Sequence, residues 1–503
     1  MPEPGRLQPR RNPDPLFPFR DRDSEKEIIR AKLQQIAQGE PGALPVMCFW
    51  GPAGTGKSWL LFELERLYRR DGLASSHFSR PTIAARLDLD RTIPSPLWRD
   101  GRLERARLLQ ELWRQLAQQI GAAMPDIGNL ALETQADALV HQVTAWLDRF
   151  TPVILLDTVD DLVREDEESF FWLEEHLIER LALTDRVLFV FAGRGELRRW
   201  RRFQVRRRVD LFPLVFFDPL TAGQAVGAGP EVSRVLYRHA FGHPLATRFL
   251  AERLLDCDID LQTASEEEVV RVLTPSLLQM VLQQTTDHIL AKVPKALLPL
   301  ARVAATLRWL NVEPLRYLAE RVGTDALGWD PSGKSDAYYL DLIGQLQSGH
   351  LVYWDIGKGV FAFPWATRSL LAHELELSKP QLFQEAHIAA YSFHRGHIEA
   401  FPAYLTHYLP EVAYHWGILR KLEPSPKVID FPVWWHGFIG QGKLGDVEML
   451  EELKGIIEAD TELQEVWPEA AGVILSEVEM RQRSRRHDRL DPQKVPARDL
   501  RSG

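Results

Sequence analysis

The chain is poor in cysteine, has no long apolar run and carries no excess of positive charge. Each shortage excludes a class of protein. Two cysteines, Cys48 and Cys257, are too few for a disulfide framework in 503 residues and suit a reducing cytoplasm, the expected location. No run approaches the roughly 18 apolar residues that span a bilayer, and the opening "MPEPGRLQPRRNPDP" lacks the apolar centre of a secretory signal. No membrane partner is expected. A formal net charge of −9 gives no general attraction to nucleic acid, so any such affinity needs a local patch.

A composition of 45% hydrophobic and 26% charged residues is that of a globular protein, and the length suits about three domains. Residues 1–16 read as a flexible lead-in. Residues 17–220 alternate short apolar runs with amphipathic segments, the pattern of a parallel sheet covered by helices. Strands are expected at Val46–Trp50, Ile83–Asp88, Val153–Asp157, Val187–Ala192 and Leu211–Phe216. Helices are expected at Lys57–Arg70, Leu103–Gln119, Gln135–Phe150 and Phe170–Ala182. Residues 221–290 read as a helical subdomain. Residues 291–377 end in "IGQLQSGHLVYWDIGKGVFAFP", an apolar helix and two short strands in winged-helix order. Residues 378–482 read as all-helical, and 483–503 as a disordered basic tail.

"GPAGTGKS", Gly51 to Ser58, fits G-x-x-x-x-G-K-[ST] between an apolar strand and a helical pattern. Glycines at 51, 54 and 56 let successive backbone N–H groups face a phosphate, and the helix adds its positive end. Lys57 can reach β- and γ-phosphates, and the Ser58 hydroxyl can ligate Mg²⁺. Gly51, Pro52, Ala53, Gly54, Thr55, Gly56, Lys57, Ser58 and Trp59 are therefore the candidate ATP/ADP-binding stretch. "PVILLDTVDDL" delivers Asp157 to the end of a buried strand, where it can hold the Mg²⁺ shell opposite Ser58. Asp160 is the candidate base. It is one methylene shorter than glutamate, so slow hydrolysis is expected. Asp160 and Asp161 could instead cap the next helix.

Together these motifs resemble the signal-transduction ATPases with numerous domains (STAND), a branch near AAA+ that includes the NB-ARC and NACHT switches. "FRDRDSEKEI", Phe19–Ile28, is similar to the family's entry segment, with Arg22 at its arginine position. "ILLDTVDDL" resembles the second motif, with Asp160 for its glutamate. "VLFVFAGRGEL" places Arg194 as the sensor arginine, and "AFGHPLATRFL" resembles the G-x-P-L motif through Gly242, Pro244 and Leu245. The resemblance covers about residues 17–375. It implies an α/β P-loop NTPase of the ASCE type with a parallel sheet, followed by a helical subdomain, a winged helix and an all-α C-terminal region. It also implies that Pro244 lies over the adenine or ribose. Where the family often carries a His-Asp pair touching ADP, this chain has Pro364 and Trp365, so either that contact is absent or another residue such as His350 or Arg368 makes it.

"GRGELRRWRRFQVRRRVD", Gly193–Asp210, holds eight arginines and two acids. Beyond Arg194 it reads as a solvated basic face, with one of Arg206, Arg207 or Arg208 turned towards the site or a neighbour's γ-phosphate. His387, His394, His397, His407 and His415 read as solvated or hydrogen-bonded helix residues, because no Cys or acidic ligands repeat at a matching spacing. "FPVWWHGF" reads as an apolar loop, either core of the C-terminal region or a docking patch for a partner, with core the favoured reading. The expected function is an ATP-binding, slowly hydrolysing switch controlling homo-oligomerisation or a separate protein effector. The resemblance suggests a role in bacterial antiviral defence or signalling. The alternatives are a winged-helix DNA-binding initiator or regulator of the AAA+ type, and a non-hydrolysing nucleotide-binding scaffold.

Overall fold

A computed structural model describes residues 22–476 except 41–42, 92–94, 124–128, 423–424, 426–427 and 442–446. The proposed lead-in, the basic tail and Phe19–Asp21 of the entry segment lie outside the described residues. The chain divides into two compact units, Met1–Ala291 and Lys292–Gly503.

Five strands build the sheet of the first unit: β1 (Val46–Trp50), β2 (Thr82–Asp88), β3 (Thr151–Asp157), β4 (Leu188–Gly193) and β5 (Val209–Pro213). All pairings are parallel, and the order is β2-β3-β4-β1-β5. β4 thus separates the strand that feeds the P-loop from the strand that ends in Asp157, which is the ASCE arrangement. β3 is buried along its whole length, as a central parallel strand covered on both faces must be. One face packs on helices Arg105–Ile120 and Leu132–Trp146, the other on Asp23–Gln38 and Lys57–Tyr68. The last expected strand starts two residues and ends three residues earlier than its apolar pattern implied, because the parallel register pairs Val46 with Val209 and Trp50 with Pro213. The expected helix Phe170–Ala182 starts earlier, at Glu167 capped by Asp166, and widens into a π segment at Glu174–Ile178. Helices Pro219–Val226, Pro230–Ala240, Pro244–Asp256, Glu266–Val272 and Pro275–Ile289 complete the unit.

The second unit opens as a winged helix. Helix Leu298–Ala304 leads to Leu310, which bridges Phe361, then to Val312–Leu327 and Asp336–Ser348. The hairpin Tyr353–Asp355/Val360–Ala362 follows. Helices Trp365–Ser378, Pro380–Ala400, Leu405–Leu419, Phe431–Gly440, Val447–Ala459 and Thr461–Val466 pack beyond it. "FPVWWHGF" is a helix and not a loop. Asp430 accepts the Val433 N–H at 3.2 Å and Pro432 occupies the first turn, both helix-start signals. Phe431, Trp435 and Phe438 are buried, so the core assignment holds. His387, His394 and His415 are also buried, so they are not solvated, while the hydrogen-bonded alternative holds for His387 and His415, whose Nδ1 atoms are 2.9 Å apart. Arg368 is buried against the Tyr414 hydroxyl at 3.2 Å and also bonds Glu462. Its guanidinium is thereby engaged within the core of its own unit.

Candidate phosphate-binding site

β1 ends at Trp50 and the chain turns through Gly51–Gly56 into helix Lys57–Tyr68. Lys57 is buried and its ammonium donates to the Gly51 carbonyl at 2.7 Å, the Pro52 carbonyl at 2.6 Å and Thr55 Oγ1 at 3.2 Å. The ammonium is thus held inside the ring of loop carbonyls. Arg22, itself buried, donates to the Thr55 carbonyl at 2.9 Å and the Val215 carbonyl at 2.8 Å and lies 5.1 Å from the centre of the Phe217 ring. It braces the back of the loop.

The Gly242–Leu245 turn is seated on this loop. His243 is fully buried and caps helix Pro244–Asp256, its Nδ1 accepting the Ala246 N–H at 3.4 Å. That role requires the Nε2–H tautomer, and Nε2 donates to the Ala53 carbonyl at 3.0 Å. Leu245 N–H donates to the Gly54 carbonyl at 3.3 Å. Gly54, at φ +76°, has no room for a side chain, since a Cβ would meet His243 Cε1 at 2.4 Å. Trp59 lies under the Arg248 guanidinium at 4.5 Å. Pro244 occupies the first turn of its helix, directly after His243. His243, the unnamed x of G-x-P-L, was missed, although a polar residue immediately before Pro is an N-cap signal.

Burial drives the His243 pKa down from 6.5 to about 3, and does the same to His387 and His394 in the second unit. The unfolded chain therefore takes up protons below about pH 6.5 while the native state does not. Stability contributed by the neutral rings is complete above that pH and is lost as pH falls towards 3. Each group adds a slope of about 1.4 kcal/mol per pH unit in this window. Thermal melts from pH 7.5 to 5 should show a falling midpoint, and His243→Asn, which keeps a capping oxygen, should flatten the fall.

Asp157 and Asp88 stand opposite each other at the C-terminal ends of β3 and β2. Asp157 is buried; its Oδ1 accepts the Thr158 N–H at 2.9 Å, and Oδ2 has no hydrogen-bond partner, with Arg86 at 3.7 Å. Burial, then the charge of Asp88, raises the Asp157 pKa, while Arg86, the Ser58 hydroxyl and Lys57 oppose the rise. A buried carboxylate oxygen without a donor, beside a hydroxyl and a second carboxylate, is a hard-oxygen donor set that fits Mg²⁺. Asp88 was missed as a site residue. Its signal was available: "TIAARLD", like "PVILLD", is an apolar strand ending in aspartate.

Thr158, at φ +57°, turns the chain into helix Val159–Glu165. Asp160 Oδ1 accepts the Arg194 backbone N–H at 3.0 Å, tying this helix to the end of β4. Asp161 is buried and pairs with Arg164 at 3.1 Å, a structural placement. The Arg194 guanidinium makes a long 3.5 Å contact to the Ile289 carbonyl, at the end of the last helix of the first unit. Burial lowers its pKa, against the pull of Asp160, Asp161 and Asp90.

The other arginines of that run divide. Arg199 pairs with Glu167 at 3.3 Å, Arg202 with Glu175 and Glu179, Arg208 with Asp185 at 3.1 Å, and Arg201 lies 3.5 Å from the Phe171 ring centre. Buried Glu174 accepts the backbone N–H groups of Arg201 and Arg202 at 3.1 and 2.8 Å. Arg199, Arg201 and Arg202 are therefore stitched to the acidic helical segment Glu167–Ala182, while Arg198 pairs locally with Glu196. Arg206 and Arg207 are exposed and lie only against the Phe203 ring among the contacts described.

The sequence matches no protein-family model and no curated protein. Among solved structures, the ORC2 protein of Aeropyrum pernix in its ADPNP–ADP complexes is 14% identical, over 73% of this chain and 97% of that one, with a TM-score of 0.44. A Walker-type ATPase of Pyrococcus abyssi is 12% identical over 70% and 95%, also at 0.44. Cdc6p of Pyrobaculum aerophilum is 12% identical over 73% and 98%, at 0.35.

Proposed function

We propose that the protein is an ATP-binding, slowly hydrolysing switch of the STAND type whose nucleotide state governs self-assembly or engagement of a protein effector. The observation that supports this most is the Gly242–Leu245 turn bonded to the P-loop carbonyls of Ala53 and Gly54. Phosphate entering the loop must draw Lys57 from the Gly51 and Pro52 carbonyls, and the loop's rearrangement is felt at once by helix Pro244–Asp256. Ser58 and Asp157 would hold Mg²⁺, which when bound neutralises phosphate charge. Asp160 orients the attacking water, and its short side chain keeps turnover slow. Arg194 reads the γ-phosphate: if drawn to it, Arg194 leaves the Ile289 carbonyl, so ATP and ADP states differ in contacts at the last helix of the unit.

Binding of a fluorescent ATP analogue tests the reading. Lys57→Ala is expected to weaken it on the order of 100-fold, about two charge-assisted hydrogen bonds' worth; equal affinity would overturn the proposal. Arg206→Ala/Arg207→Ala is expected to leave ATP affinity unchanged. If these arginines reach a neighbour's γ-phosphate, the pair should slow phosphate release by at least about 10³-fold in the assembled state only. The DNA-binding alternative gains no support from helix Asp336–Ser348, which contains no Lys or Arg.

A further inference from the structure

In the second unit, one ring nitrogen each of His394 and His415 and a carboxylate oxygen of Glu411 lie within 4.8 Å of one another, and all three residues are buried. Two nitrogens in this cluster, His394 Nδ1 and His415 Nε2, are buried without a hydrogen-bond partner. An orphaned ring nitrogen in a core is costly, and each of the two histidines grouped with Glu411 carries one, which calls for a common occupant. We propose that His394, Glu411 and His415 bind one divalent transition-metal ion, Zn²⁺ foremost, with water in the remaining position.

The placement follows from two helices. His387 and His394, seven residues apart, share a face of Pro380–Ala400; Glu411 and His415, four apart, share a face of Leu405–Leu419. The surroundings then fix each donor. His387 Nδ1 and His415 Nδ1 are 2.9 Å apart. With His415 donating its Nδ1–H to His387, its Nε2 keeps a lone pair for metal, the usual outer-shell device. Arg308 holds Glu411 ionised, bonding Oε1 at 2.7 Å and Oε2 at 3.0 Å, and is itself balanced by Asp460 at 2.7 Å. Each carboxylate oxygen retains a further lone pair. Bonds of roughly 2.0–2.1 Å set tetrahedral donors about 3.4 Å apart, so binding draws the three side chains inward by about 1 Å and clamps the two helices together.

Untagged full-length protein, stripped with chelator and free of nucleotide, would be titrated with Co²⁺ as a spectroscopic stand-in and then with Zn²⁺. The expected result is about one equivalent of Co²⁺ giving an intense visible absorption, bleached by Zn²⁺. The band should persist in Lys57→Ala, which disables the phosphate site, and disappear in His394→Ala. His387→Ala should weaken Co²⁺ binding about 10–100-fold, as loss of an outer-shell partner does, while His407→Ala leaves it unchanged. Absence of any band in the wild-type protein would overturn the site, as would a band retained in folded His394→Ala. If His394→Ala does not fold, His387→Ala decides the matter, and unchanged Co²⁺ affinity there would overturn the site.

Discussion

Asp157→Asn is expected to reduce Mg²⁺-dependent ATP hydrolysis on the order of 100-fold or more while leaving the nucleotide-free protein no less stable. The two effects separate because of where Asp157 sits. It is buried, faces Asp88 across the parallel register, and its Oδ2 lacks a hydrogen-bond donor. Burial and the neighbouring carboxylate raise its pKa, which means that folding disfavours its charged form. Removing the charge relieves that strain, and Arg86 keeps its 3.1 Å bond to Glu65. The charge persists at a stability cost, as expected of a group retained for chemistry. Phosphate release and thermal melting of the same preparation check both halves. Full activity would contradict the assignment, and a large fall in the melting midpoint would show Asp157 to be a structural residue.

Gly242→Ala is expected to damage the first unit through backbone geometry alone. At φ +70° an alanine is strained, and its Cβ would lie 2.1 Å from the Phe217 carbonyl oxygen, a backbone atom that cannot swing away. Together these cost about 3 kcal/mol or more, or roughly 6–12 °C in midpoint for a unit of this size. Because the same turn positions His243 and Leu245 on the P-loop, ATP affinity should fall as well. Gly39 supplies the control. It has φ +74° and nothing within 4 Å of where a Cβ would stand, so Gly39→Ala meets only the left-handed strain of about 1 kcal/mol. Equal losses at both positions would show that close packing on Phe217 contributes nothing.

The parts of this architecture that were legible in the sequence are those written in short-range pattern. Apolar strands ending in a chemically distinctive residue located β1, β3 and β4 to within two residues at either end, and the P-loop spacing placed Lys57 and Ser58. The parts that were not legible depend on what lies opposite. Asp88 becomes a site residue only because β2 pairs with β3 in a register that brings it to Asp157. The arginine run is largely the exposed face its composition implies; what its own residues do not show is that some members pair with acids some thirty residues earlier, as Arg199 does with Glu167. His387 and His394, seven apart, and Glu411 and His415, four apart, offer regular spacings, but spacing alone does not say that His394, Glu411 and His415 meet at one buried point. Arg368 is a plausible phosphate ligand by position, and only its partners Tyr414 and Glu462, distant in sequence, show that it is enclosed.

If nucleotide bound at Lys57 sets the state of assembly, mass photometry of wild type and Lys57→Ala with ATP, with ADP and without nucleotide will register it without intermediate steps. A higher-mass species of wild type is expected with ATP. It should be absent with ADP, absent without nucleotide and absent in Lys57→Ala under every condition. A single mass distribution for both proteins under all three conditions, with candidate effectors included, would contradict a nucleotide-operated switch.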